Sequence, residues 1–118
     1  MIFSFNLSAE EIKSYYENGS IKEVGQYQNG VPDGKYSRFF ESGSIQQRGL
    51  FKQGELQGEI VSYYEGSAIK SKVTYQNGQL DGIAIMFYEN GNMESKSVYK
   101  SGKKQSSIHF DKQGNRSN

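Results

Sequence analysis

The chain has 118 residues and a formal net charge of +1 from 14 basic and 13 acidic side chains, with no cysteine, no tryptophan and one proline. That length holds one domain or one short repeat array, and the absence of cysteine excludes disulfides, thiolate metal sites and cysteine nucleophiles. Hydrophobic residues make up only 34% of the chain while glycine (14) and tyrosine (9) are abundant, a composition that disfavours a helical bundle and suits short strands joined by tight turns.

The first ten residues read as an N-terminal cap. Phe3, Phe5 and Leu7 alternate as a capping strand would, while Ser8–Glu11, flanked by Leu7 and Ile12, has the capping-box and staple form that suits one helical turn before the first repeat, so strand and short helix are both open for this segment. From residue 11 a period of 24 takes over. The pairs Tyr15-Tyr16, Phe39-Phe40, Tyr63-Tyr64 and Phe87-Tyr88 recur without a slip, as do Ile21, Ile45, Ile69 and Met93, and Tyr27, Phe51, Tyr75 and Tyr99. Glycines keep the same beat at Gly30, Gly54, Gly78 and Gly102. Four units follow, 11–34, 35–58, 59–82 and 83–106, and 107–118 is a partial unit that ends in a polar tail. Each unit predicts a hairpin, with a two-residue turn at Asn18-Gly19 and its equivalents and a glycine turn closing the second strand. The fold class expected is all-β: an elongated, single-layer antiparallel meander of 24-residue hairpins, capped at both ends.

A two-residue turn at Asn18-Gly19 sets Tyr16 opposite Ile21, Ser14 opposite Glu23 and Ile12 opposite Gly25, and opposed residues share a face. That face, with Tyr36, Ile60 and Ala84 in later units, is the expected core, and a one-residue slip would exchange the two faces. The other face carries the aromatic column Tyr15, Phe39, Tyr63 and Phe87, with basic neighbours that include Arg48, Lys70 and Lys72. Rings among long cations are good interface material. A second in-phase set, Glu17, Glu41, Glu65 and Glu89, forms an acidic edge beside the turns, suited to a basic partner surface. These eleven residues are the candidate partner-binding set. No catalytic, cofactor or metal residues are assigned: His109 is the only histidine, Asp111 lies two residues on, and no serine is marked as a nucleophile. No apolar run reaches the roughly 18–20 residues of a spanning helix, and Met1–Leu7 lacks the form of a secretory signal, so a cytoplasmic location is expected. Net charge is −4 over residues 1–95 and +5 over 96–118, too even for a dedicated nucleic-acid binder.

Tyr15-Tyr-Glu-Asn-Gly-Ser-Ile-Lys22, Tyr27-Gln-Asn-Gly30, Phe39-Phe-Glu-Ser-Gly-Ser-Ile45, Tyr75–Gly82 and Phe87-Tyr-Glu-Asn-Gly91 resemble the unit of the variant MORN (membrane occupation and recognition nexus) repeat, over roughly residues 11–116. Gly66-Ser67, in inverted order, and Lys103-Lys104, where a turn is worn, depart from the pattern. The resemblance implies a twisted sheet of hairpins and a non-enzymatic role. It implies further an antitoxin or immunity protein that binds a cognate protein toxin, such as the C-terminal module of a secreted toxin; the charge distribution, with Lys103-Lys104 as a thin basic cluster, leaves neither nucleic acid nor membrane as an expected partner. The alternative implication of the resemblance is a structural scaffold or lipid-surface module without a toxin.

Overall fold

The computed structural model describes residues 9–117. They form one open antiparallel sheet: β1 (Ala9–Tyr15), β2 (Ile21–Gln28), β3 (Val31–Phe39), β4 (Ile45–Lys52), β5 (Glu55–Leu56), β6 (Gly58–Tyr63), β7 (Ile69–Gln76), β8 (Gln79–Phe87), β9 (Met93–Lys100), β10 (Lys103–Phe110) and β11 (Arg116–Ser117). Each strand lies beside its sequence neighbour, except that β5 and β6 both flank β4, as one strand interrupted at Gln57. The molecule measures 68 × 37 × 15 Å with a radius of gyration of 17.6 Å, against about 13–14 Å for a compact chain of this length. A thickness of 15 Å leaves room for one sheet and its side chains, since a second sheet would pack about 10 Å away. The expected single-layer meander of 24-residue hairpins is the observed one.

Of the two readings open for the cap, the described part takes the strand. Ala9, Glu10 and Glu11 pair with Gln28, Tyr27 and Gln26, so these residues open β1 and do not form a helical turn; the ladder to β2 takes up their backbone groups. Ser8 and the alternating Phe3, Phe5 and Leu7 lie outside the described residues. At the other end, Arg116 and Ser117 pair with Phe110 and His109, so the partial unit does begin a further strand.

The two kinds of turn are exchanged relative to expectation. The two-residue turns with positive φ at both positions are Asn29-Gly30, Gln53-Gly54, Asn77-Gly78 and Ser101-Gly102, with φ of 49–54° at the first residue and 78–85° at the glycine. This type I′ geometry matches the twist of the flanking strands. Pro32 therefore sits in β3, beyond the turn, and its carbonyl accepts the Gly54 N–H at 2.8 Å. The Asn18-Gly19 turn is one residue longer. The Tyr16 N–H donates to the Ser20 carbonyl and the Gly19 N–H to the Tyr16 carbonyl, at 2.8 and 2.9 Å, leaving Glu17-Asn18-Gly19 as the loop. In the third unit, where the sequence inverts to Gly66-Ser67, Ser67 itself takes φ 80°.

A longer turn should have slipped the register, but a bulge restores it. Tyr15 pairs with Ile21, yet Ser14 pairs with Glu23 and Ile12 with Gly25, Lys22 being the extra residue. The same compensation occurs between Phe39 and Arg38, between Tyr63 and Ser62 and between Phe87 and Met86. The two one-residue errors cancel, so the core face is the one expected from the simple turn.

That inner face carries one continuous row across the strands: Ile12, Gly25, Tyr36, Gly49, Ile60, Val73, Ala84, Ser97 and Ser107. Bulk and space alternate along it. Tyr36 and Ile60 are each only 4% exposed, and Tyr36 rests between two glycines with its ring 4.8 Å from that of Phe51. The Tyr36 hydroxyl donates to Gln47 Oε1 at 2.9 Å, and Gln47 Nε2 donates to Ser62 Oγ at 3.1 Å. Burial, partly opposed by the Arg38 guanidinium, pushes the Tyr36 phenol above its ordinary pKa.

Beside the longer turns, hydroxyls tie one unit to the next. Tyr16, Tyr64 and Tyr88 donate to the carbonyls of Phe39, Phe87 and Phe110 at 2.6, 2.7 and 2.7 Å. The second unit has Phe40 at this place and lacks the bond. Tyr64→Phe is expected to cost about 0.5–1.5 kcal/mol and Phe40→Tyr to return a similar amount. Both effects should show as shifts of the urea midpoint at constant slope; a Tyr64→Phe midpoint equal to wild type would remove the role given to these bonds.

Candidate functional site

With one layer of structure, the second sheet face is surface. On this outer face a single register line joins Lys13, Val24, Ser37, Arg48, Val61, Lys72, Ile85, Lys96 and Ile108 through successive strand pairs. Arg48, Lys72 and Lys96 are 24 residues apart, so they stand two strands apart, about 10 Å. Val61 between the first two is 2% exposed. A valine on the unlayered face reaches that burial when long neighbouring stems cover it, and Arg48 and Lys72 are its two register partners.

A second row runs alongside. Leu50, Ile83 and Val98 are exposed aliphatic residues, each two positions from a residue of the first row and so on the same face. Lys35 pairs with Leu50 and Ile83 with Val98. A hollow of about 400 Å³ opens there, lined by Lys35, Ser37, Arg48, Leu50 and Glu59. Among the described residues the ion pairs are Lys13–Glu11 at 3.7 Å and Arg38–Glu23 at 2.9 Å, so Arg48, Lys72 and Lys96 have no carboxylate partner within 4.0 Å there.

The aromatic column is less open than its sequence implied. Tyr15, on the first strand, is 58% exposed, whereas Phe39, Tyr63 and Phe87 are half-buried. The bulges seat Tyr15, Phe39, Tyr63 and Phe87 opposite Ile21, Ile45, Ile69 and Met93. Arg48 Nε donates to the Tyr63 hydroxyl at 2.8 Å, so those two candidates meet. Lys70 does not join the column: its Nζ lies 5.7 Å from the centre of the Tyr64 ring, and Lys22 stands likewise 5.8 Å from the Tyr16 ring. Both lysines occupy the bulges, a feature with no separate sequence signal.

Glu17, Glu41, Glu65 and Glu89 each hold the first position of a longer turn and are exposed. They form the expected acidic edge, away from the basic row. Glu89 also lines a hollow of about 500 Å³ with Tyr64, Tyr88, Asn90 and Lys112. The leading cause that raises the Tyr64 phenol pKa is loss of solvent, with Glu94 and Glu89 adding to it. Near the C-terminal end His109 Nε2 lies 2.9 Å from Ser107 Oγ, which is 3.1 Å from Ser97 Oγ. Asp111 Oδ1 accepts the N–H groups of Gln113 and Asn115 at 3.0 and 2.9 Å, so that carboxylate is spent on the turn.

The sequence puts Lys96 among the basic residues of this face but outside the partner-binding set, and Leu50, Ile83 and Val98 were missed as members of the surface. The period pointed to Lys96, in phase with Arg48 and Lys72. The three aliphatics required knowledge that no second layer covers them among the described residues.

The MORN repeat variant model matches residues 11–29, 32–53, 56–77 and 80–101, the last three segments starting 24 residues apart. No curated protein matches the chain. Among solved structures, the crystal structure of TarM is similar at a TM-score of 0.48 and 13% identity, over 82% of this chain and 20% of that one; the chain spans about a fifth of that protein's length. With four repeats that cover most of its length, the chain belongs to the MORN repeat variant family.

Proposed function

We propose that this chain is a non-enzymatic binding protein of the cytoplasm, an antitoxin or immunity protein that covers a cognate protein toxin with its outer sheet face. The observation that carries protein binding is the nearness of exposed Leu50, Ile83 and Val98 to Arg48, Lys72 and Lys96, which have no carboxylate partner among the described residues, on one face. Exposed apolar side chains set among long cations are interface material. A slab 68 × 37 Å across offers well over the roughly 800 Å² per partner that a stable complex needs. The toxin itself comes from the resemblance to bacterial chains built wholly of this repeat. The mechanism is occlusion: the bound sheet blocks the toxin's active cleft or holds it in an inactive shape.

The test is growth. A toxic module encoded beside this gene, induced alone and with this chain, should kill in the first case and not in the second. If the chain neither rescues growth nor co-purifies with that module, the toxin reading falls.

The same cations and aliphatics also favour a second reading, an anionic lipid surface. Flotation with phosphatidylserine vesicles separates the two, since an immunity protein leaves the vesicles free.

A further inference from the structure

From the spacing of the outer-face rows we infer that the partner is acidic at the contact, and that the element seated on this face is an amphipathic helix bearing carboxylates about two turns apart. The inference rests on the reading that the partner is a protein and names the chemistry of its contact surface. Arg48, Lys72 and Lys96 repeat every two strands, about 9.6 Å. A helix lying across the strands advances about 10.5 Å in seven residues, so acids at i, i+7 and i+14 meet the three cations within the slack of their long stems. The apolar side chains next to those acids then lie on Leu50, Ile83 and Val98, one row over.

Charge supports the sign. Glu59 is the acidic residue within this part of the face, and Lys35 stands beside it at the same hollow. Bases of a nucleic acid would need open rings to stack on, whereas Phe39, Tyr63 and Phe87 are half-buried and the second row offers the aliphatics Leu50, Ile83 and Val98 beside exposed Lys35 and Glu59. Those aliphatics favour a protein. The acidic turn edge formed by Glu41, Glu65 and Glu89 lies off this face and takes no part.

The experiment uses the whole chain and two synthetic helical peptides of about 21 residues, followed by fluorescence anisotropy in low salt. One peptide carries glutamate at every seventh position with leucines alongside; the other has lysine in place of glutamate. The glutamate peptide should bind at least roughly tenfold more tightly than the lysine peptide, and more weakly as salt rises. The variant Arg48→Glu/Lys72→Glu/Lys96→Glu should invert that preference, and the milder Lys72→Gln/Lys96→Gln should reduce it should the first not fold. Glu41→Gln/Glu65→Gln/Glu89→Gln should leave it unchanged. Equal binding of the two peptides, no binding of the glutamate peptide, or indifference to both cation variants overturns the inference. So does tighter binding to oligothymidylate or to phosphatidylserine vesicles than to the glutamate peptide. Peptide binding without any toxin would leave the surface standing and remove the toxin reading, and toxin rescue without peptide binding would do the reverse.

Discussion

Gly49→Ala is expected to destabilise the protein by about 1–3 kcal/mol, although it replaces a strand glycine with a residue of better intrinsic preference. The position needs no unusual backbone; what matters is volume. A Cβ on Gly49 would stand 2.4 Å from Ile60 Cδ1 and 2.9 Å from Tyr36 Cε1, far inside contact distance. Tyr36 and Ile60 approach β4 from either side, and the missing side chain is the space they share. The equivalent position one unit earlier is the control. A Cβ on Gly25 meets Tyr27 Cε1 at 3.3 Å and Tyr36 Cβ at 3.8 Å, so Gly25→Ala should fall well short of Gly49→Ala in urea denaturation. Equal effects at the two sites would show that space on β4 is not what Gly49 supplies.

Ile60→Ala is expected to cost about 2–5 kcal/mol. Ile60 is 4% exposed and belongs to a small buried set with Tyr36, Val61 and Ala84. A one-layer sheet has few other contacts with which to close the cavity. The change also empties the space that Gly49→Ala would invade. The double variant should therefore be less destabilised than the two single losses combined, by about 0.5–3 kcal/mol of coupling. Simple additivity would contradict the claim that the two residues compete for one volume.

Much of this arrangement was legible in the sequence because the repeat prints each position four times. Tyr15, Phe39, Tyr63 and Phe87 could not share one column by accident, and Glu17, Glu41, Glu65 and Glu89 fall where their phase puts them. The core face was legible for a less direct reason. The turn at Asn18-Gly19 is one residue longer than its dipeptide implies, and the bulge at Lys22 compensates. Asn-Gly serves both turn lengths, since each needs glycine at a positive φ, so the dipeptide alone does not distinguish them. The bulge lysines then leave the expected row: Lys70 goes to the Tyr64 ring while Arg48 and Lys72 stay. Strand alternation cannot foresee that. Nor could hydropathy single out Leu50, Ile83 and Val98, because in a two-layered protein the same alternation would bury them.

The most direct test of the outer face as the working surface is rescue by matched variants. Arg48→Glu/Lys72→Glu changes two side chains that have no carboxylate partner within 4.0 Å among the described residues. It breaks no ion pair there, but it removes the Arg48–Tyr63 hydrogen bond and the longer stems beside Val61, so the isolated fold should lose about 0.5–1.5 kcal/mol and still unfold cooperatively. Co-expressed with the toxic module, wild type and the turn-edge variant Glu41→Gln/Glu65→Gln/Glu89→Gln should restore growth, and Arg48→Glu/Lys72→Glu, folded and present at equal level, should not. Full rescue by the outer-face variant, with rescue lost in the turn-edge variant, would place the toxin on the acidic edge and contradict the assignment.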